Sequence, residues 1–316
     1  MKRNLIPVAL LSVMLFSSGA YAAQRPSATA NPSFPVRVNS ADGTVRIAHR
    51  PTRILSLSAS ATEMLYAVGA GRQVVGVDKY STYPTDAPRT KFTGYESSAE
   101  DYLPLHPDLV LLAFNTGTLI AQLHKLHIST LLLPPANTIA GVNKQISEIG
   151  LATGHVAQAV QTKASLAGDL ASAAKVAKGR ARGATYYIEI DPTYYTATSH
   201  TFIGALFSRF NMVNVADSAG RSGSGYPQIS SEDLLKTNPD YVFLADTVCC
   251  GQNVKSFSLR PGFGALRAVR LGHVITVNDS VASEWGPHSL ETFAGAIKQE
   301  ILSTTTKATS SAQTSS

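Results

Sequence analysis

The stretch Glu100-Asp101-Tyr102-Leu103-Pro104-Leu105-His106-Pro107-Asp108-Leu109-Val110-Leu111-Leu112-Ala113 comes back as Glu232-Asp233-Leu234-Leu235-Lys236-Thr237-Asn238-Pro239-Asp240-Tyr241-Val242-Phe243-Leu244-Ala245. Glu, Asp, Leu, Pro, Asp, Val, Leu and Ala coincide at a constant offset. Each copy reads as a short helix, a Pro-Asp turn and a continuous apolar run, the pattern of a strand buried on both faces. Ser98 with Asp101, and Ser230 with Asp233, supply matching helix caps. A unit present once in either half implies two similar lobes, each with a glutamate in the first turn of a helix. The helix dipole stabilises a carboxylate there, which is explanation enough for Glu100 or Glu232 alone. At equivalent places on two lobes the pair has a further use. One carboxylate per lobe can dock on a two-fold symmetric partner whose arginines take it bidentately.

Outward from this unit the alternation continues. Apolar runs at 53–57, 74–77, 109–113 and 130–133 read as strands, with helical spacing at 62–68, 99–105 and 118–126 between them. The second half repeats it, with strands at 185–190, 241–245 and 274–277 and helices at 201–210, 232–236 and about 263–269. Such βα alternation is the mark of an α/β fold. Between the halves lies an Ala-rich stretch, 139–178, in which Ala152, Val156, Ala159, Val160, Lys163, Leu166, Leu170 and Ala173 form an apolar stripe. It reads as one long helix, or two with a break near Gly154. The expected architecture is an N-terminal α/β lobe over 51–150, a linking helix over 151–182 and a C-terminal α/β lobe over 183–302. Each lobe is built on a central sheet, and the ligand cleft lies between them. Ahead of this, residues 23–50 read as a flexible lead and a small hairpin about Asp42-Gly43. The Ser/Thr-rich tail, 303–316, has no apolar period and is expected to be disordered.

The ends and the composition narrow the function. Lys2 and Arg3, an apolar run from Leu5 to Phe16, and Ala20-Tyr21-Ala22 read as an export signal over 1–22. The run is too short for a permanent span, and no cysteine follows it. A soluble periplasmic protein without a lipid anchor is expected. Charged residues are only 15% of the chain and the net charge of +6 is dispersed, so no stripe for nucleic acid is present. Cys249 and Cys250 are adjacent, and they cannot staple distant segments. Export permits their oxidation, but whether they pair stays open. No histidine pair has metal-ligand spacing, so no bound metal is expected. Ser222-Gly223-Ser224-Gly225 does not sit as a nucleophile elbow, and Gly69-Ala70-Gly71 lacks the lysine of phosphate loops. A binding protein without a cofactor is expected, not an enzyme; an extracytoplasmic hydrolase is the weaker alternative.

The chain resembles the periplasmic binding proteins for cobalamin, haem and ferric siderophores. The resemblance rests on 57–63 (Leu-Ser-Ala-Ser-Ala-Thr-Glu), Gly69-Ala70-Gly71, 74–78, Tyr80-Ser81-Thr82-Tyr83-Pro84, Pro107-Asp108-Leu109-Val110 and Tyr226-Pro227-Gln228-Ile229-Ser230, and spans about 54–301. It implies that Glu100 and Glu232 pair with arginines of an ABC permease dimer in the inner membrane, and that the protein works as a monomer. It also implies a transported metal chelate as ligand, a corrinoid first, with haem or a ferric siderophore as alternatives. Residues just beyond strand ends should line the cleft. The expected contacts are Tyr80, Tyr83, Tyr95 and Phe114 from the first lobe, and Tyr194, Tyr195, Tyr226 and Trp285 from the second. Aromatic faces suit a flat macrocycle. The sequence departs from the cobalamin pattern near Gly94 and Ala113, where tryptophans are expected and Tyr95 and Phe114 stand adjacent. The acidic residue expected near Ser283 is displaced to Glu284. Were the ligand haem, Tyr95 would be the iron ligand.

Overall fold

Both copies of the repeated unit fold alike in the computed structural model, which describes residues 32–95, 98–177, 181–220, 223 and 225–313. The expected export signal over 1–22, the lead up to residue 31, Ser222, Ser224 and residues 314–316 lie outside the described residues.

The N-terminal half begins with a hairpin, β1 (Val36–Ser40) and β2 (Gly43–Ile47). Then come β3 (Ile54–Leu57), α1 (Ala59–Ala67), β4 (Val74–Val77), α2 (Ala99–Tyr102), β5 (Leu109–Leu112), α3 (Leu119–Lys125) and β6 (Ser129–Leu132). The next two helices are α4 (Ile139–Thr153) and α5 (Val156–Ala177). The C-terminal half contains β7 (Thr185–Asp191), β8 (Tyr195–Thr196), α6 (Phe202–Arg209), β9 (Val213–Asn214), α7 (Ser231–Thr237) and β10 (Tyr241–Leu244). It ends with α8 (Thr247–Cys250), α9 (Val254–Ser258), α10 (Arg267–Leu271), β11 (Val274–Thr276), α11 (Asp279–Ser283) and α12 (Pro287–Gln313).

The two sheets share one plan. The first is ordered β4-β3-β5-β6, all parallel; in the second β11, β10 and β7 lie side by side in parallel, with β9 parallel and β8 antiparallel to β7. Side chains alternate identically along the repeated strands. Leu109 and Leu111, like Tyr241 and Phe243, face a core shared by both lobes. Val110 and Leu112, like Val242 and Leu244, face a second core on the outer side of their own lobe. The entry to each strand is fixed the same way. His106 and Asn238 take left-handed φ of 43° and 46° to end the helices. Asp108 then accepts the Thr52 and Arg53 amides at 2.7 and 3.0 Å, and Asp240 accepts the Thr185 amide at 2.8 Å, aligning β3 and β7. The capping boxes are both present: Ser98 N donates to Asp101 Oδ2 at 2.8 Å, and Ser230 Oγ donates to Asp233 Oδ2 at 2.7 Å.

The linker breaks at Gly154, whose φ of 78° is left-handed and ends α4. The linking helix is therefore α5 alone, narrower than 151–182. Its 22 residues span about 33 Å. Leu166, Leu170 and Ala173 bury its inner stripe, and α12 packs along it. The expected hairpin about Asp42-Gly43 is present, with β1 antiparallel to β2, and it is anchored: Val36, Val38 and Ile47 are in the shared core, and Ser40 Oγ accepts the Leu132 amide at 2.8 Å. One expectation needs correction. The C-terminal segment is helical through Gln313 where a structureless tail from 303 was expected. It carries neither Pro nor Gly, so nothing in it stops a helix already begun on Phe293, Ile297 and Ile301.

Candidate functional site

The cleft opens at the C-terminal edges of both sheets, where chains leaving parallel strands diverge. Beyond β3, Ser58 caps α1, its Oγ accepting the Ala61 amide. Beyond β4 come Asp78, Lys79 and Tyr80, and beyond β5 come Ala113 and Phe114. With Tyr95 and the segment from Asp279 to Trp285, these residues enclose a cavity of about 590 Å³. A second cavity of about 480 Å³ shares Phe114, Asp279, Ser283 and Trp285 with it, and runs on to Ile190, Phe202, Tyr226 and Cys249. The shared walls make them two parts of one cleft between the lobes. Its combined size is that of a site for a large small molecule.

Tyr80, Tyr95, Phe114 and Tyr226 are surface groups, whereas Phe202 belongs to the shared core and Trp285 is half-buried against it. Tyr80 is 51% exposed and Tyr95 55%, yet they lie in a concave wall. Tyr95 packs on Phe114 with ring centroids 5.4 Å apart, and the Lys79 ammonium sits 5.0 Å above the Tyr80 ring. Trp285 is held by two bonds. Its amide donates to Ser60 Oγ at 3.0 Å and its Nε1 to Gln145 Oε1 at 2.8 Å, so the C-terminal segment is fastened to the first lobe. Burial raises the Tyr95 phenol above its ordinary pKa, with the charges of Tyr80 and Asp78 adding to the effect. The free cleft therefore holds Tyr95 as a neutral phenol at neutral pH.

At the cleft floor Glu284, which lines the first cavity, meets the buried Glu63. Burial, then Glu63, push Glu284 up to about 9, so it is protonated at neutral pH. Glu63 accepts from the Ser289 amide at 3.0 Å and from the Ser289 hydroxyl. Gly286 passes so close that a Cβ there would overlap the Glu63 carboxylate. Under the second lobe's wall, Arg260 makes a bidentate pair with Glu189, both distances 2.7 Å. Asp246 beside it is fully buried, and burial and Glu189 raise it to about 7.

Of the aromatic residues expected in the cleft, the structure brings together Tyr80, Tyr95, Phe114, Tyr226 and Trp285. It places three elsewhere. Tyr83 stacks on His288 at 3.6 Å in a separate groove beside α5 and α12. Tyr194 is taken up by the second lobe's outer core, packed on Phe263 and under the Arg260 guanidinium at 5.3 Å. Tyr195 lies on the short edge strand β8, outside the lining of either cavity. The sequence reading missed Asp279, Ser283 and Ile190 as lining residues; Ile190 and Asp279 follow the strand-end rule, at the end of β7 and just after β11. Cys249 and Cys250 form a disulfide. Among the described residues no group of three His, Cys, Asp or Glu could hold a metal ion. Nor is any described helix long and apolar enough to cross a membrane.

Glu100 and Glu232 are exposed at the starts of α2 and α7. Neither lines either cavity.

The periplasmic binding protein family matches the chain over residues 54–281. An uncharacterized ABC transporter substrate-binding lipoprotein of Bacillus subtilis strain 168 is 31% identical over 294 residues, 89% of this chain and 91% of that protein. A cobalamin-binding protein of Halobacterium salinarum strain R1 is 31% identical over 306 residues, 92% of this chain and 82% of that protein. Among solved structures, a periplasmic vitamin B12 binding protein of Vibrio cholerae superposes with a TM-score of 0.64 at 23% identity. That match covers 81% of this chain and 98% of that one, and is a likeness of fold.

Proposed function

The chain belongs to the periplasmic binding protein family, and from that premise we propose that it is the extracytoplasmic substrate-binding component of an ABC importer, capturing a corrinoid between its lobes. The observation that carries this reading is the two-sided aromatic cleft, with Tyr80, Tyr95 and Phe114 facing it from one lobe and Tyr226 and Trp285 from the other side. Such a wall buries a broad flat ligand while its hydroxyl and indole edges meet polar substituents. The cobalamin-binding relative from Halobacterium supports the corrinoid over other chelates. The lipoprotein relative supports the importer role, and members of the family are binding proteins, which supports a carrier without catalysis. In this reading Glu100 and Glu232 are the permease contacts, one for each half of the permease dimer, and the carrier itself works as a monomer.

Haem is the second reading, favoured by Tyr95 on the cleft wall, since a tyrosinate can hold ferric iron. The raised phenol pKa of Tyr95 works against it, because the ligand form must first lose that proton. A ferric siderophore is the third.

The test is retention. Protein mixed with cyanocobalamin, haemin and a ferric siderophore, then desalted, should keep corrin absorption and show quenched Trp285 fluorescence. Trp285→Ala or Tyr226→Ala should weaken binding by about tenfold, as loss of one buried aromatic anchor does. A retained Soret band without corrin bands would replace the first reading with the second.

A further inference from the structure

The adjacent cysteines sit where the second lobe meets the ligand cavity. β10 ends at Leu244, Ala245 and the buried Asp246 follow, and α8 then turns through Thr247, Val248, Cys249 and Cys250 to Gly251, whose φ is 68°. This turn is held in place from the cleft floor. The Asp279 carboxylate accepts the amides of Thr247 at 2.8 Å, Val248 at 3.0 Å and Cys249 at 2.6 Å. Asp279 opens α11, which leads to Ser283, Glu284 and Trp285. Cys249 lines the cavity in company with Phe114, Tyr226 and Trp285. Both cysteines are solvent-exposed.

A disulfide between neighbours closes almost no loop, so the chain-entropy stabilisation that long-range bridges provide is nearly absent here. Its effect is local. It closes the Cys249–Cys250 peptide unit at the end of α8 into a small ring and presents the bonded, polarizable Cys249 sulfur to the cavity, where the reduced form would present a thiol with a free rotor. Its exposure leaves it open to attack by a thiolate.

We propose that the Cys249–Cys250 disulfide is a redox-set part of the ligand wall: the oxidised pair is the form that binds, and reduction weakens capture. This deepens, and rests on, the chelate-binding reading. An oxidising compartment keeps the pair closed by default. The reductant is a dithiol, such as that of an extracytoplasmic thiol–disulfide oxidoreductase. Its thiolate attacks one sulfur, the Cys249–Cys250 bond breaks, and its second thiol resolves the mixed disulfide. Two electrons and two protons pass to the cysteines, which become thiols, and the reductant leaves as its own disulfide.

The experiment compares three samples of the full chain: as purified, reduced with dithiothreitol and desalted without air, and Cys249→Ser/Cys250→Ser. Iodoacetamide should label both cysteines in the folded protein only after reduction. Affinity for cyanocobalamin should fall by roughly fivefold or more in the reduced and serine forms alike. Cys250→Ser alone, which keeps Cys249 in the wall, should behave as the double variant does, with unchanged far-ultraviolet circular dichroism in every form. Equal affinity across oxidised, reduced and serine forms would overturn the inference and leave the chelate-binding reading standing. Failure of the oxidised protein to retain cyanocobalamin, haemin or a ferric siderophore would overturn that reading, and this inference with it.

Discussion

Asp246 closes the second lobe's central strand, fully buried, and neither carboxylate oxygen accepts a hydrogen bond from a described donor. It faces Glu189, whose own oxygens are occupied by Arg260 and by the Tyr187 hydroxyl at 3.3 Å. A proton between Asp246 and Glu189 lets the pair share one charge opposite one guanidinium. Burial and then Glu189 raise Asp246 to about 7 in the folded protein. The folded state thus holds a proton that the unfolded chain releases near the ordinary carboxylate value. The stabilisation is complete below that ordinary value and falls away as pH climbs to about 7. Asp246→Asn keeps a neutral amide there at every pH. It should match the wild type in melting temperature near about pH 4 and exceed it by several degrees near about pH 8. A gap of the same size at both pH values would count against the shared proton. None of this was legible in the sequence, because the partner Arg260 stands far along the chain from Glu189 and only the fold joins them. The same blindness explains Tyr83 and Tyr194. Both follow strand ends, as Tyr80 and Tyr226 precede or follow turns at the cleft, but His288 and Arg260 claim their rings. A strand-end rule finds a rim; it does not say which side chain on the rim already has a partner.

At the scale of elements, the junction of α1 with the α11–α12 segment decides how freely the lobes can move. Glu63 on α1 takes the Ser289 amide and hydroxyl, Ser60 takes the Trp285 amide, and Gly286 lies flat against the Glu63 carboxylate. Glycine is required there by proximity. Gly286→Ala should cost about 1–3 kcal/mol as an overpacked core position, read as a lower denaturant midpoint at unchanged m-value. Trp285 fluorescence should shift in the same variant, since Trp285 directly precedes Gly286 and its amide is bonded to Ser60 in the same junction. An unchanged midpoint would mean that the junction yields without strain. Elements were easier to read than partners. The apolar stripe marked α5 and a glycine marked its break, because a left-handed C-cap is a local property of the chain. The extension of α12 to Gln313 was missed because its Ser, Thr and Ala residues carry no hydrophobic period, although they also carry no helix breaker.

For the whole molecule, the duplicated unit joins fold to use. Two sheets whose parallel strands follow the same order put two capped helices, and Glu100 and Glu232 at their starts, in equivalent positions on the two lobes. The single helix α5 and the helix packed along it, α12, resist bending, so the separation of those carboxylates should change little when the cleft fills. A fixed spacing suits a partner with two-fold symmetry. Neither glutamate lines the cavities, so their removal should leave capture untouched. Glu100→Ala with Glu232→Ala should keep the affinity for cyanocobalamin within about twofold and weaken association with permease-bearing proteoliposomes by about tenfold or more. Each single variant should fall between, and raising salt should narrow the difference from wild type, since exposed carboxylates act through screened charge. If the double variant instead lost its ligand while still folded, the glutamates would belong to the cleft and the symmetric docking argument would fail. If association were unchanged at low salt, the carboxylates would be doing no more than complementing their helix dipoles, which is explanation enough for each alone.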